Sequence, residues 1–211
     1  IGRIIDNIPG DQLDQTTVFV IGDNGTPSFG IDEPWPVGRS KGSVWESGVH
    51  VPMVVWGQHA TAAGTQEDDL VHLVDVFATM ADIAQIDTSS AVYTEGPWEG
   101  EPVTIDGESF LPQLRGDTPK SWKTYLHTEG FYPNGAPPYD YHKRMVRDRE
   151  WKYWRFTRGS GYSEYFHKYT DEFWTEGDNL LLEPMDEEAT AAYERLFAEF
   201  ERWGSEVNIG P

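Results

Sequence analysis

Five residue types with chemical potential, at Asp23, Asn24, Lys41, Glu46 and His50, fall within 28 consecutive positions. Asp23 and Asn24 close the stretch Thr16-Thr17-Val18-Phe19-Val20-Ile21-Gly22, an apolar β-branched run that reads as a buried strand. Gly22 and Gly25 bracket the pair, so the backbone must turn there. Ligands of open α/β sheets bind at the carboxyl ends of strands. A carboxylate and an amide oxygen at that point suit a hard cation such as Ca²⁺ or Mg²⁺. The same Asp-Asn-Gly also makes an ordinary turn. Lys41 follows within Arg39-Ser40-Lys41-Gly42-Ser43. Small neighbours leave its ammonium open to a sulfate or phosphate oxygen, or simply to water. Glu46 can pair with Lys41 or Arg39, orient a neighbour, or sit in a buried ion pair. His50 can donate to an anionic leaving group or hydrogen-bond its own loop.

The elements that must position these residues read as an α/β arrangement. Ile1, Ile4, Ile5 and Ile8 recur at helical spacing and end before Pro9-Gly10. The strand at 16–22 follows, covered on both faces as in a parallel sheet. Residues 26–48 form a long Gly-, Pro- and Ser-rich loop, a length that within a compact domain signals function or disorder. Val51-Pro52-Met53-Val54-Val55-Trp56 is a second buried strand, closed by Gly57. His72 lies in a short apolar run and reads better as a structural histidine than as a ligand. Asp75 is placed to cap a helix whose apolar face is Val76, Phe77, Met80, Ala81, Ile83 and Ala84. Residues 87–107 are loop-like, and 109–116 hold a helical turn or two.

Beyond about residue 120 the pattern alternates. Segments 124–128, 143–147, 151–156 and 164–169 read as half-buried strands joined by short turns, an antiparallel meander. From Asp186 to about Gly204 an amphipathic helix carries Ala189, Tyr193, Leu196, Phe197, Phe200 and Trp203 on one face. The expected division is 1–118 as an α/β part and 119–211 as a small antiparallel sheet with a helix.

Composition removes whole classes. The 211 residues carry a formal charge of -20, from 36 acidic and 16 basic side chains, which disfavours nucleic acid and anionic membranes as partners. A hydrophobic fraction of 38% with 9 Trp, 10 Tyr and 10 Phe supplies a core and argues against disorder. Without cysteine there is neither a disulfide nor a thiolate site in this chain. No apolar run approaches the roughly 20 residues that span a bilayer. The opening Ile1-Gly2-Arg3-Ile4-Ile5 reads as the inside of a helix, so the chain is expected to be part of a longer protein.

The motifs and their order resemble the sulfatases, which share the alkaline-phosphatase-like fold. Asp23-Asn24-Gly25 resembles the family's Asp-Asn-Gly. The stretch Ser40-Lys41-Gly42-Ser43 resembles its Gly-Lys-Gly-Ser, and Glu46-Ser47-Gly48-Val49-His50-Val51-Pro52 its Glu-Gly-Gly-x-Arg-Val-Pro. Val74-Asp75-Val76-Phe77-Ala78-Thr79-Met80, Asp106 to Gly116 and Arg149-Glu150-Trp151-Lys152-Tyr153 continue the match. His50 departs from the family by standing where arginine is usual.

The resemblance implies part of an α/β/α sheet followed by a small antiparallel sheet packed with a C-terminal helix. It implies a sulfuric ester hydrolase, with Asp23 and Asn24 as two ligands of a divalent cation, Ca²⁺ in most sulfatases and Mg²⁺ as the alternative. Lys41 would contact the sulfate, with His50 as a second catalytic candidate. The nucleophile would be a formylglycine made from a Cys/Ser-x-Pro-x-Arg motif in an N-terminal half, and no such motif is present here. The expected partner is a sulfated small molecule or carbohydrate. A phosphonate or phosphate ester hydrolase, or an inactive binding module, are the alternative readings. Secreted or periplasmic location is a family-level expectation. His127 and Glu129 are minor candidates for approaching the substrate.

Overall fold

The computed structural model describes residues 1–33, 35–36, 38–117, 122–170 and 175–204. In chain order the elements are α1 (Gly2–Ile5), α2 (Gly10–Leu13), β1 (Thr17–Ile21), α3 (Glu46–Val49), β2 (Met53–Gly57), α4 (Val74–Ile83), α5 (Leu111–Leu114), β3 (Leu126–Tyr132), β4 (Tyr141–Arg147), β5 (Trp151–Arg158), β6 (Gly161–Lys168) and α6 (Glu187–Arg202). They form two compact units. One comprises Ile1–Val20 with Met53–Lys123; the other comprises Ile21–Pro52 with the chain from Thr124 onward. The boundary expected at 118 falls on residues outside the described ones.

β1 and β2 form a two-stranded sheet. Gln58 N–H donates to the Thr16 carbonyl at one end and Gly22 N–H to the Pro52 carbonyl at the other, each at 3.0 Å. Those pairings join the start of one strand to the end of its neighbour, so the strands run antiparallel rather than in the parallel arrangement the apolar run suggested. β2 alternates, leaving Val54 62% and Trp56 46% exposed. The expected helix at the start stops at Ile5.

α4 departs from the expected capping. Leu73 occupies the cap position, and Asp75 lies in the first turn, fully buried. Its carboxylate accepts from the His72 amide at 2.7 Å, the Glu108 amide at 2.9 Å and the Lys123 ammonium at 2.6 Å. Thr79, also buried, accepts from the Phe110 amide at 3.0 Å. The buried side of α4 is therefore Asp75, Thr79 and Ala81, while Phe77 and Met80 of the expected apolar face are 57% and 56% exposed.

The second unit is organised by the antiparallel sheet β3-β4-β5-β6. Cross-strand pairing puts Leu126, Arg147, Lys152 and His167 opposite one another in sequence across the sheet, and likewise Thr128, Met145, Trp154 and Tyr165. Since side chains alternate between faces, these rows share one face, and His127, Val146, Tyr153 and Phe166 share the other. α6 covers the latter. Val146, Trp151, Tyr153 and Phe166 pack with Ala189, Ala192, Leu196 and Phe200 in one buried cluster. Asp186 caps α6, its carboxylate accepting from the Ala189 amide at 2.8 Å. The opposite face receives the segment around Val44, Trp45 and Val49, which packs on Met145, Trp154, Phe156 and Tyr165.

Candidate active site

The segment from Gly22 to His50 is irregular, yet its backbone is cross-tied. Thr26 N–H donates to the Ser47 carbonyl and Lys41 N–H to the Thr26 carbonyl, both at 2.8 Å. These bonds bring the Asp23-Asn24 turn and Lys41 onto one patch. Two glycines permit the close approach. A Cβ on Gly25 would lie 2.3 Å from the Gly48 carbonyl, and one on Gly48 would lie 2.6 Å from the Ser40 carbonyl. Gly42 adopts φ of +85°, a conformation L side chains rarely take.

Asp23, Asn24 and Lys41 all face solvent. A hydrogen bond from the Asn24 side chain holds the Asp23 carboxyl below the usual carboxylate range, helped by the charge of Lys41. Asp23 is therefore ionised at neutral pH. The pair offers two hard oxygen donors, the type Ca²⁺ or Mg²⁺ takes, but a Ca²⁺ ion takes six to eight. Among the described residues no group of three or more His, Cys, Asp or Glu is placed to hold a metal. The donor chemistry fits such a cation; the number of donors requires further ligands.

Five residues after Lys41 the same loop enters a buried ion cluster. Glu46, 1% exposed at the start of α3, meets Arg147 Nη1 at 2.8 Å, Lys152 Nζ at 2.9 Å and the Tyr169 hydroxyl at 2.8 Å. Glu176 accepts from Lys152 at 3.0 Å and from the Glu46 amide at 2.7 Å. Among the described residues, the carboxylates Glu46 and Glu176 thus meet the cations Arg147 and Lys152. Burial pushes the Glu46 carboxyl up, but Lys152 and Arg147 outweigh it and hold the group at about 2. The expected partners of Glu46, Lys41 and Arg39, are replaced by strand residues about 100 positions later. Arg39 instead stacks on Trp45, 3.8 Å from the ring centroid, and its backbone carbonyl accepts from the Ser47 hydroxyl.

His50 terminates α3, its amide donating to the Glu46 carbonyl at 2.7 Å. Burial lowers its imidazole pKa; Glu46 opposes this, while Arg147 and Lys152 reinforce it. Its charged surroundings are thus those of the buried cluster. His127 and Glu129 fall on the face of the sheet that carries α6. His127 lies 3.0 Å from Glu199, and Glu129 lies 2.9 Å from His142. They face away from the surface that receives Lys41. His72 serves structure, its Nδ1 accepting from the Val74 amide at 3.2 Å.

Arg147, Lys152, Tyr169 and Glu176 were missed by sequence reasoning as supports of the site. Polar residues alternating in a strand read as solvent-facing; here both faces of β5 are covered, and Trp151, Lys152, Tyr153 and Trp154 are all buried.

Comparison with known proteins follows the same outline. Residues 1–86 match the sulfatase family model. Mouse (Mus musculus) steryl-sulfatase is 26% identical over 174 residues, covering 64% of this chain and 25% of that protein. The chain thus spans about a quarter of the length of that curated relative. A phosphonate monoester hydrolase from Silicibacter pomeroyi superposes with a TM-score of 0.68 at 19% identity, over 95% of this chain and 37% of the other. A putative sulfatase from Bacteroides thetaiotaomicron superposes at 0.64 and 22%, over 94% and 40%. Residues 1–86 thus match the sulfatase family model, and the chain as a whole shares the fold of these hydrolases.

Proposed function

We propose that this chain supplies the anion-binding patch and two cation ligands of a sulfate-ester hydrolase. The observation that carries the reading is the grouping of ionised Asp23, Asn24 and Lys41 on one solvent-facing patch, tied through Thr26. Asp23 and Asn24 would hold a divalent cation, most simply Ca²⁺, which when bound polarises the sulfuryl oxygens. Lys41 places its ammonium against the sulfate and stabilises negative charge as the ester bond to sulfur breaks. Glu46 and its partners fix the backbone that carries Lys41. A formylglycine nucleophile and the remaining cation ligands would come from a longer polypeptide, so the 211-residue chain by itself is expected to show no turnover.

The test uses that longer polypeptide with 4-nitrophenyl sulfate. Replacing Lys41 with Ala should lower kcat about 10²- to 10³-fold, the effect of removing one charge-stabilising donor. Near-normal kcat refutes the assigned role. Turnover by the 211-residue chain alone refutes the need for outside residues.

A second reading is hydrolysis of a phosphonate monoester, favoured by the superposition on the Silicibacter pomeroyi enzyme. The two anions share tetrahedral geometry and would use the same three residues. Comparing kcat/KM for an aryl sulfate with that for an aryl phosphonate monoester separates them.

A further inference from the structure

Lys41 sits at the tip of a tight turn. Ser43 N–H donates to the Ser40 carbonyl at 3.0 Å, and Gly42, third of the four residues, takes φ of +85°. A glycine of positive φ at that position marks a type II turn, in which Lys41 is the second residue. Among the described residues nothing stands within 4 Å of where a Gly42 side chain would lie, so the tip has no packing of its own. Two further bonds hold it. Lys41 N–H donates to the Thr26 carbonyl at 2.8 Å, from within the same irregular segment. The Lys143 ammonium donates to the Gly42 carbonyl, from β4 and about 100 positions later. Lys143 is half-buried. Phe156 is its cross-strand partner on β5, and its ammonium lies 5.2 Å from the Tyr141 ring. The donor is therefore itself seated on the sheet.

We infer that Lys143 is a positioning residue: by holding the Gly42 carbonyl it fixes the turn, and with it the direction in which Lys41 projects its ammonium. The inference rests on the role proposed for Lys41. A turn tip without packing samples several orientations, and each carries the lysine stem with it. A hydrogen bond from an ammonium is about twice as strong as one between neutral groups, so Lys143 competes well with water for this carbonyl. The gain is catalytic because a charge donor already in place need not reorganise as the ester bond breaks. A misplacement of about 1 Å can cost about 10²-fold in rate.

The test is steady-state kinetics on the full-length polypeptide in Ca²⁺, with 4-nitrophenyl sulfate and an aryl phosphonate monoester. Lys143→Met keeps the stem and removes the donor. It should lower kcat about 10-fold with KM changed less than about 2-fold, because the loss falls on the transition state. The exposed Gly42 carbonyl then meets water, so the unfolding temperature should stay at the parent value. Lys143→Arg restores a donor and should recover most of kcat. Adding Lys143→Met to Lys41→Ala should lower kcat no further, since a residue acting through Lys41 has nothing left to position. Normal kcat for Lys143→Met, with Lys41→Ala still impaired, overturns the inference and leaves the Lys41 role standing. Losses that multiply in the double variant also overturn it, because Lys143 then acts on the ester independently. Normal kcat for Lys41→Ala, or no turnover of either ester by the unaltered protein, refutes the reading of the site and this inference with it.

Discussion

Asp75 in the first compact unit and Glu46 in the second are both buried carboxylates, and the two are built differently. Asp75, in the first unit, accepts two backbone amides and one lysine whose side chain keeps some contact with water. Glu46, in the second, is held by Arg147, Lys152 and Tyr169, with Lys152 having no exposure at all. Asp75 satisfies amides that a tight turn would otherwise strand. Glu46 neutralises cations that the sheet has already buried. Both lie in motifs that resemble the sulfatase pattern. The comparison teaches that such motifs mix two kinds of residue: buried carboxylates that hold loops, and exposed groups such as Asp23 and Lys41 that face solvent.

The sharpest test of this difference is Glu46→Gln. It removes the carboxylate charge that Lys152 and Arg147 both meet in a dry environment, and stability should fall by about 3–5 kcal/mol in chemical denaturation. A loss as small as that of a surface variant would break the comparison. His167 probes the same buried region by pH. It is 1% exposed, and burial lowers its pKa to about 4. Its unfolded-state value is near 6.5, so the unfolded chain takes up a proton that the folded one refuses. The stabilisation is complete above about pH 6.5 and is lost as pH falls toward 4, up to about 3 kcal/mol. His167→Gln should flatten the unfolding-temperature profile across that window; an unchanged slope refutes the assignment.

Asp75→Asn should cost less, about 1–3 kcal/mol, because an amide oxygen still accepts from one backbone N–H and Lys123 can turn to water. A cost equal to that of Glu46→Gln would erase the distinction. Lys41→Ala should change stability by no more than about 0.5 kcal/mol, as expected for a solvent-facing side chain. A large loss of stability would move Lys41 from the solvent-facing group to the structural one.

Local chemistry wrote several features directly into the sequence. Alternation in 143–147 and 151–156 predicted β4 and β5, and Asp186 predicted the start of α6, because side-chain period and capping depend on neighbours along the chain. The exposed turn at Asp23-Asn24 and the small residues around Lys41 were equally legible. Other features required partners far away in sequence. The antiparallel pairing of β1 and β2, the choice of Arg147 and Lys152 as partners of Glu46, and the placement of His127 behind the sheet each depend on contacts that sequence spacing does not record. Residue types specified which groups can carry charge or bind a cation. Only the folded chain decided which charges are buried together and which meet the solvent, because burial is a property of the packed surfaces and not of any one segment.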